Sequence, residues 1–344
     1  MKPYFQEIIE NKKLSTNSAK EVLTIIGKGE AEPSQIAAFL GMYAMKGVLV
    51  EELEGFREAM LQLAVQIDLS EFDAMDVCGT GGDGKDTFNI STTSAFVVAG
   101  AGQKVAKHGN HGVSSAVGSS TVLEHLGIKF TNDVDFLKHK LETAGICYMH
   151  APLFHPAMKY VAPIRKELGL KTFFNILGPL LNPAKVQKQL TGTFDLATAE
   201  LYGKLFNRSN AQYTIIHSLD GYDEISLTGD FVVISNNKPL SSGRGEGATV
   251  ATGEVKTISP ISVGLPFLNA EDLHGGSTTT DAAEILLNIL KNKATQPQTD
   301  VVVANAALAL HAADSSLSIS DAILKAEESL ESGKAYEAFK KLIE

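Results

Sequence analysis

Asp76-Val-Cys-Gly-Thr-Gly-Gly-Asp83 decides how the rest of this chain is read. A short apolar run, Ala74 to Cys78, stops at a cluster of glycines and an acid. Glycine carries no Cβ, so backbone N–H groups can approach a ligand there and φ can turn positive. Successive exposed amides at the end of a strand form a concavity for anions. Asn89-Ile-Ser-Thr92 follows, then Lys107-His-Gly-Asn-His-Gly-Val-Ser-Ser115, and Gly118-Ser-Ser120 opens a further helical pattern. A cation, hydroxyls and helix starts gathered after a glycine-rich turn suit the grip on a polyphosphate, with a divalent metal.

Before this stretch the texture is helical. Residues 4–11, 18–28, 33–46 and 50–67 repeat apolar side chains at spacings of three and four. Ser18 with Glu21 has the form of a capping box, and Pro33 suits a first helical turn. From Ala74 onward, apolar runs at 74–78, 104–106, 146–150, 189–192 and 213–217 alternate with helical patterns at 91–101, 119–126, 134–144 and 197–207. Such alternation builds a mostly parallel sheet flanked by helices. The expected fold class is therefore α/β: a small N-terminal helical domain over 1–70 and a large domain over 71–344. A connector near 168–185, containing Asn175-Ile-Leu-Gly-Pro-Leu-Leu-Asn-Pro183, is expected to join the two. Residues 225–260 read as strand–turn–strand pieces, and the chain from Thr280 is helical again, with caps at Asp281, Asp300 and Ser320.

At 344 residues, 44% apolar and 20% charged, the chain can bury a sizeable core. A net charge of −10 disfavours a broad electrostatic hold on nucleic acid. No apolar run reaches membrane-spanning length, and the polar N-terminus does not resemble a signal peptide. Cys78 and Cys147 sit far apart in apolar runs and read as buried, reduced thiols of a cytoplasmic enzyme.

Asp220-Gly-Tyr-Asp-Glu224 places adjacent carboxylates in a turn after an apolar run. Hard cations such as Mg²⁺ bind through one or two carboxylates plus substrate phosphates. Arg165, in the helical pattern 157–168, could take a carboxylate in bidentate fashion or be an ordinary surface arginine. Ser91 or Thr92 could be simple N-caps, Lys107 a solvated lysine, and His108 with His111 is too small a set for a metal cage. No GxSxG, HExxH or catalytic carboxylate spacing occurs, so no general base is assigned. A site rich in phosphate holders but poor in acid–base groups points to catalysis by positioning and electrostatics.

The order and spacing of Gly79–Asp83, Asn89–Thr92, Lys107–Asn110, Asn175–Pro183 and Asp223–Glu224 resemble the anthranilate phosphoribosyltransferase family over essentially the whole chain. That resemblance implies a Mg²⁺-dependent homodimer, paired through the helical domain, that joins anthranilate to phosphoribosyl diphosphate in tryptophan biosynthesis. The phosphoribosyl diphosphate would be held by Gly79, Gly82, Asp83, Thr87, Asn89, Ile90, Ser91, Thr92, Lys107, His108, Gly109, Asn110, His111, Gly112, Val113, Ser114, Ser115 and Ser119. Metal would fall to Ser91, Asp223 and Glu224, and stabilisation of the leaving group to Lys107. Anthranilate would use Asn110 and Arg165, with Gly79 close by and His155 and Gly178 along the approach. His111 and Lys171 depart from the family pattern, which usually has arginine at both places. Two rivals share the architecture or fold: a pyrimidine nucleoside phosphorylase and a non-catalytic relative that binds nucleic acid. Asp223-Glu224 and the Asn175–Pro183 connector favour the transferase over the first, and the acidic balance argues against the second.

Overall fold

The computed structural model describes residues 1–112, 117–236 and 254–344. The chain divides into two units: Met1–Ile67 with Ala151–Lys185, and Asp68–His150 with Val186–Glu344. The helical unit thus takes in residues 151–185, which the expected division at residue 70 left to the large domain apart from the connector. Phe173 gives the physical reason. Its ring stacks on Phe56 at 4.4 Å and meets Phe39 edge-on at 5.9 Å, completing a core those helices begin.

The helical unit opens with Lys2–Ile9, Thr16–Gly27, Pro33–Lys46 and Val50–Leu63. Its second helix starts earlier than the Ser18–Glu21 pair suggested. Ser15 is the N-cap, its hydroxyl accepting the Ser18 N–H at 3.1 Å, and Glu21 instead accepts the Tyr4 hydroxyl at 3.0 Å. The fourth helix ends at Leu63, short of residue 67, because Ala64 turns extended at ψ 155°. Gly55 lets this helix approach Thr16–Gly27 so closely that a Cβ would sit 2.3 Å from the Thr16 carbonyl oxygen. Glu52, fully buried, accepts from the Leu14 and Leu49 amides at 3.0 Å each and from the Lys46 ammonium at 2.5 Å. Glu52→Leu strands all three donors, and a denaturant melt is expected to show a loss of about 3–5 kcal/mol.

Among the described residues the second unit carries one seven-stranded sheet. Its strands are β1 (Met75–Gly79), β2 (Val105–Gly109), β3 (Ile146–His150), β4 (Lys188–Gly192), β5 (Gln212–Ser218), β6 (Phe231–Ser235) and β7 (Val255–Ile258). They lie in the order β3-β2-β1-β4-β5-β6-β7. The first five run parallel, and β6 and β7 add on antiparallel. The strand–turn–strand reading of 225–260 corresponds to these last two. Helices Ile90–Gly100 and Gln296–Ala313 are buried almost all round, as expected of helices covered on every side.

The C-terminal caps differ from expectation. Thr278, Thr295 and Ser318 start these helices, each hydroxyl accepting the N–H three residues on. Asp281 in turn accepts from the Thr278 amide at 2.9 Å, and Asp300 and Ser320 fall inside helices. At Thr278 a hydroxyl one turn upstream of the acid takes the cap position, and at Thr295 and Ser318 the cap likewise falls upstream of the expected residue.

Candidate active site

Strand order reverses between β1 and β4, and a parallel sheet opens a crevice beyond the carboxyl ends at such a point. Gly79 and Gly192 end these two strands in register. Asp223, from the loop after β5, sits directly on both. A Cβ on Gly79 would lie 2.5 Å from the Asp223 carboxylate, and one on Gly192 would lie 1.5 Å from its carbonyl oxygen. Gly192→Ala must therefore move the acidic loop. A loss of about 1–3 kcal/mol in stability is expected, with turnover falling alongside the melting temperature.

The loop after β1 turns through positive φ at Gly81 (63°), Gly82 (81°) and Gly84 (71°). The Gly81 amide donates to Asp223 Oδ2 at 2.6 Å, so this amide serves the protein's own carboxylate. Asp83 accepts from the Lys85 amide at 3.2 Å and from the Asp223 amide at 3.5 Å. Thr87 forms an isolated bridge to His274, a residue the sequence reading passed over.

Asn89 precedes the helix Ile90–Gly100, and its amide nitrogen donates to the Val117 carbonyl at 3.1 Å. Its Oδ1 is buried without a hydrogen-bond partner among the described residues. The Ser91 N–H donates to Glu224 Oε1 at 3.2 Å, which joins this helix start to the acidic loop. Thr92 donates to the Ser119 hydroxyl at 2.7 Å, tying it to the start of Ser119–His125. Lys107 reaches from β2 to the Val77 carbonyl of β1 at 2.5 Å and is 2% exposed, so the solvated-lysine alternative fails. The His108 amide donates to buried Asp76 at 3.3 Å, and Gly109 leaves room for the Tyr148 hydroxyl. Asn110, His111 and Gly112 are exposed, with the His111 ring 3.2 Å from the Thr121 hydroxyl. Val113, Ser114 and Ser115 lie outside the described residues.

Asp223 and Glu224 are adjacent acids in a low-dielectric pocket. Burial, then repulsion from Glu224 and Asp83, pushes the Asp223 carboxyl well above its ordinary range. Burial pushes Glu224 up to about 7, opposed first by the attraction of Lys107 and then by the Ser91 hydrogen bonds. Among the described residues no three His, Cys, Asp or Glu side chains form a closed cage. The donor set nevertheless fits a hard cation that takes two carboxylates and a hydroxyl and leaves its other positions to phosphate and water.

The pH consequence has a definite sign. Between the unfolded carboxylate value of 4.5 and about 7, native Glu224 holds more proton than the unfolded chain does. Stability of the metal-free protein then falls as pH rises through that window. A thermal melt series is expected to show this fall, and Mg²⁺ with pyrophosphate to raise the melting temperature more above pH 7 than below it.

In the helical unit, Arg165 lies in Ala162–Leu168, a shorter helix than 157–168, preceded by the tighter turn Pro156–Tyr160. Its Nη2 donates to Asn175 Oδ1 at 3.2 Å, and its guanidinium lies 5.4 Å from the Phe174 ring centre. Arg165 Nε is buried with no hydrogen-bond partner among the described residues, and so is the Thr172 hydroxyl. Unpaired donors around a desolvated guanidinium suit a carboxylate ligand. Burial lowers His155 to about 4, so it stays neutral at pH 7. Gly178 opens the short turn Gly178–Leu180, and Lys171 is exposed.

Sequence reading missed Gly192, Thr172 and Asn175 at these sites, and also Ser218 and Asn305, which bond the peptide between Glu224 and Ile225. For Asn305 a signal existed: an amide inside the apolar helical run 301–313.

A phosphate-gripping enzyme built on a doubly wound sheet is the class that fold and site define. Residues 71–336 match the glycosyl transferase family, a/b domain, and residues 2–64 match that family's helical bundle domain. A curated relative from Cytophaga hutchinsonii, an anthranilate phosphoribosyltransferase, is 50% identical over 343 residues and is covered in full, as is this chain. The crystal structure of anthranilate phosphoribosyltransferase from Thermus thermophilus superposes with a TM-score of 0.88 at 31% identity, covering 98% of this chain and 97% of that one. The Saccharomyces cerevisiae enzyme, in complex with PRPP and Mg, superposes with a TM-score of 0.87 at 26% identity, over 99% and 96% of the two chains. This chain belongs to the anthranilate phosphoribosyltransferase family.

Proposed function

We propose that this protein transfers the phosphoribosyl group of 5-phosphoribosyl 1-diphosphate to the amine of anthranilate. The products are N-(5-phosphoribosyl)anthranilate and pyrophosphate, a step of tryptophan biosynthesis. The observation that carries this reading is the pair of buried Asp223 and half-buried Glu224 at the strand-order reversal, bonded to the Gly81 and Ser91 amides and facing the charge of Lys107.

The glycine loop and the starts of Ile90–Gly100 and Ser119–His125 bind the diphosphate. Ser91, Asp223 and Glu224 would hold Mg²⁺, which when bound supplies positive charge to the departing pyrophosphate. Lys107 adds a fixed cation aimed at the same charge, which grows as the C1–O bond breaks. Arg165 takes the anthranilate carboxylate, and Asn110, Gly79, His155 and Gly178 are assigned as its further contacts. The neutral amine attacks C1 as the C1–O bond to pyrophosphate breaks; its surplus proton leaves to water or the departing pyrophosphate, and no protein group is assigned as general base. Support for Mg²⁺ comes from the fit of the donor set and from the yeast relative's complex with PRPP and Mg.

Release of pyrophosphate tests the reading. Release that depends on anthranilate, with an equimolar N-glycoside found by mass spectrometry, is the expected result. Phosphorolysis of uridine or thymidine instead would select the nucleoside phosphorylase. We assign pairing of two copies to the helical unit, where Met45 is 92% and Ile9 63% exposed, and sedimentation velocity tests it. A cytoplasmic location suits two buried free thiols.

A further inference from the structure

The acidic pair stands on a peptide group gripped from both ends. The Glu224 carbonyl accepts from the buried Ser218 hydroxyl at 2.7 Å, while the N–H of the same peptide, that of Ile225, donates to Asn305 Oδ1 at 3.0 Å. Asn305 Nδ2 returns a bond to the Ile225 carbonyl at 2.9 Å and another to the Val301 carbonyl of its own helix at 2.8 Å. Asn305 and Ser218 are both 0% exposed, so these bonds do not compete with water.

A primary amide is the group that can accept from one backbone N–H and donate to two carbonyls in one plane. With Asn305 and Ser218 in place, the peptide that leaves Glu224 has one orientation, and that fixes where the Glu224 carboxylate starts.

We propose that Asn305, together with Ser218, is a positioning residue that sets the geometry of the Asp223–Glu224 pair for cation and diphosphate binding. This rests on the proposed function above. Asn305→Asp can still accept from the Ile225 amide but places a carboxylate against two carbonyls. Ser218→Ala frees the other end of the same peptide and is the milder change.

The test is Mn²⁺ binding in the presence of pyrophosphate, followed by electron paramagnetic resonance on the intact protein, with circular dichroism and the anthranilate KM in parallel. Folded Asn305→Asp and Ser218→Ala proteins are expected to bind Mn²⁺ about tenfold or more weakly, with an unchanged anthranilate KM. Affinity within twofold of the parent in a folded variant would overturn the proposal. Should Asn305→Asp not fold, Ser218→Ala decides alone. A parent chain that binds no Mn²⁺ with pyrophosphate would overturn the functional reading itself, which is a different failure from variants that match a binding parent.

Discussion

Lys107→Met is expected to lower turnover by about 10²–10³-fold, the size of effect seen when one preorganised charge is removed from a desolvated site. Lys107 is 2% exposed and fixed to the Val77 carbonyl, so its ammonium is held in place before substrate binds and need not reorganise in the proposed reaction. Its loss acts twice. The departing diphosphate loses a cation, and Glu224 loses the first of the influences that hold its titration down to about 7. The pH profile of the variant should therefore rise at higher pH than that of the parent, read from steady-state rates across the range. A variant with parental turnover and an unshifted profile would remove Lys107 from the mechanism.

Arg165→Ala is expected to raise the anthranilate KM by about 10–100-fold, the equivalent of a charge-assisted hydrogen bond of about 1.5–3 kcal/mol. The KM for phosphoribosyl diphosphate should stay the same. The asymmetry follows from the local chemistry of the helical unit. Among the described residues Arg165 Nε is buried without a hydrogen-bond partner, held beside Asn175 and over Phe174, and the Thr172 hydroxyl is also unpaired. Equal losses for both substrates would show that Arg165 supports the fold rather than the aromatic acid. Arg165→Lys should recover little, since an ammonium cannot reproduce the fork.

The fold was legible where periodicity was strong. The five parallel strands announced themselves as short apolar runs between helical patterns, and residues 146–150 coincide with β3 (Ile146–His150) to the residue. Helix starts were less legible, because two polar side chains one turn apart both look like caps. Ser15 over Ser18 and Thr278 over Asp281 were decided by which side chain faced the free amides. Residues 151–185 could not be assigned from pattern alone. Their place in the helical unit depends on Phe173 meeting Phe56 and Phe39 across a long stretch of chain.

At the site, residue types that advertise chemistry were visible: the glycine loop, Lys107, Asp223 and Glu224. The groups that hold them were not. Gly192 is informative through the 1.5 Å a Cβ would leave to the Asp223 carbonyl, a long-range fact that spacing does not carry. Asn305 acts on Ile225 from 80 residues away. The sequence of such a residue says only that an amide lies in an apolar helix.

The central claim is a Mg²⁺-dependent transfer to anthranilate, and anthranilate fluorescence tests it most directly. Protein, anthranilate, phosphoribosyl diphosphate and Mg²⁺ are mixed and the fluorescence is followed. The account predicts its loss, one pyrophosphate released per anthranilate consumed, and arrest on adding a chelator. Stable fluorescence with folded protein, or a loss that continues unchanged under chelation, would contradict it.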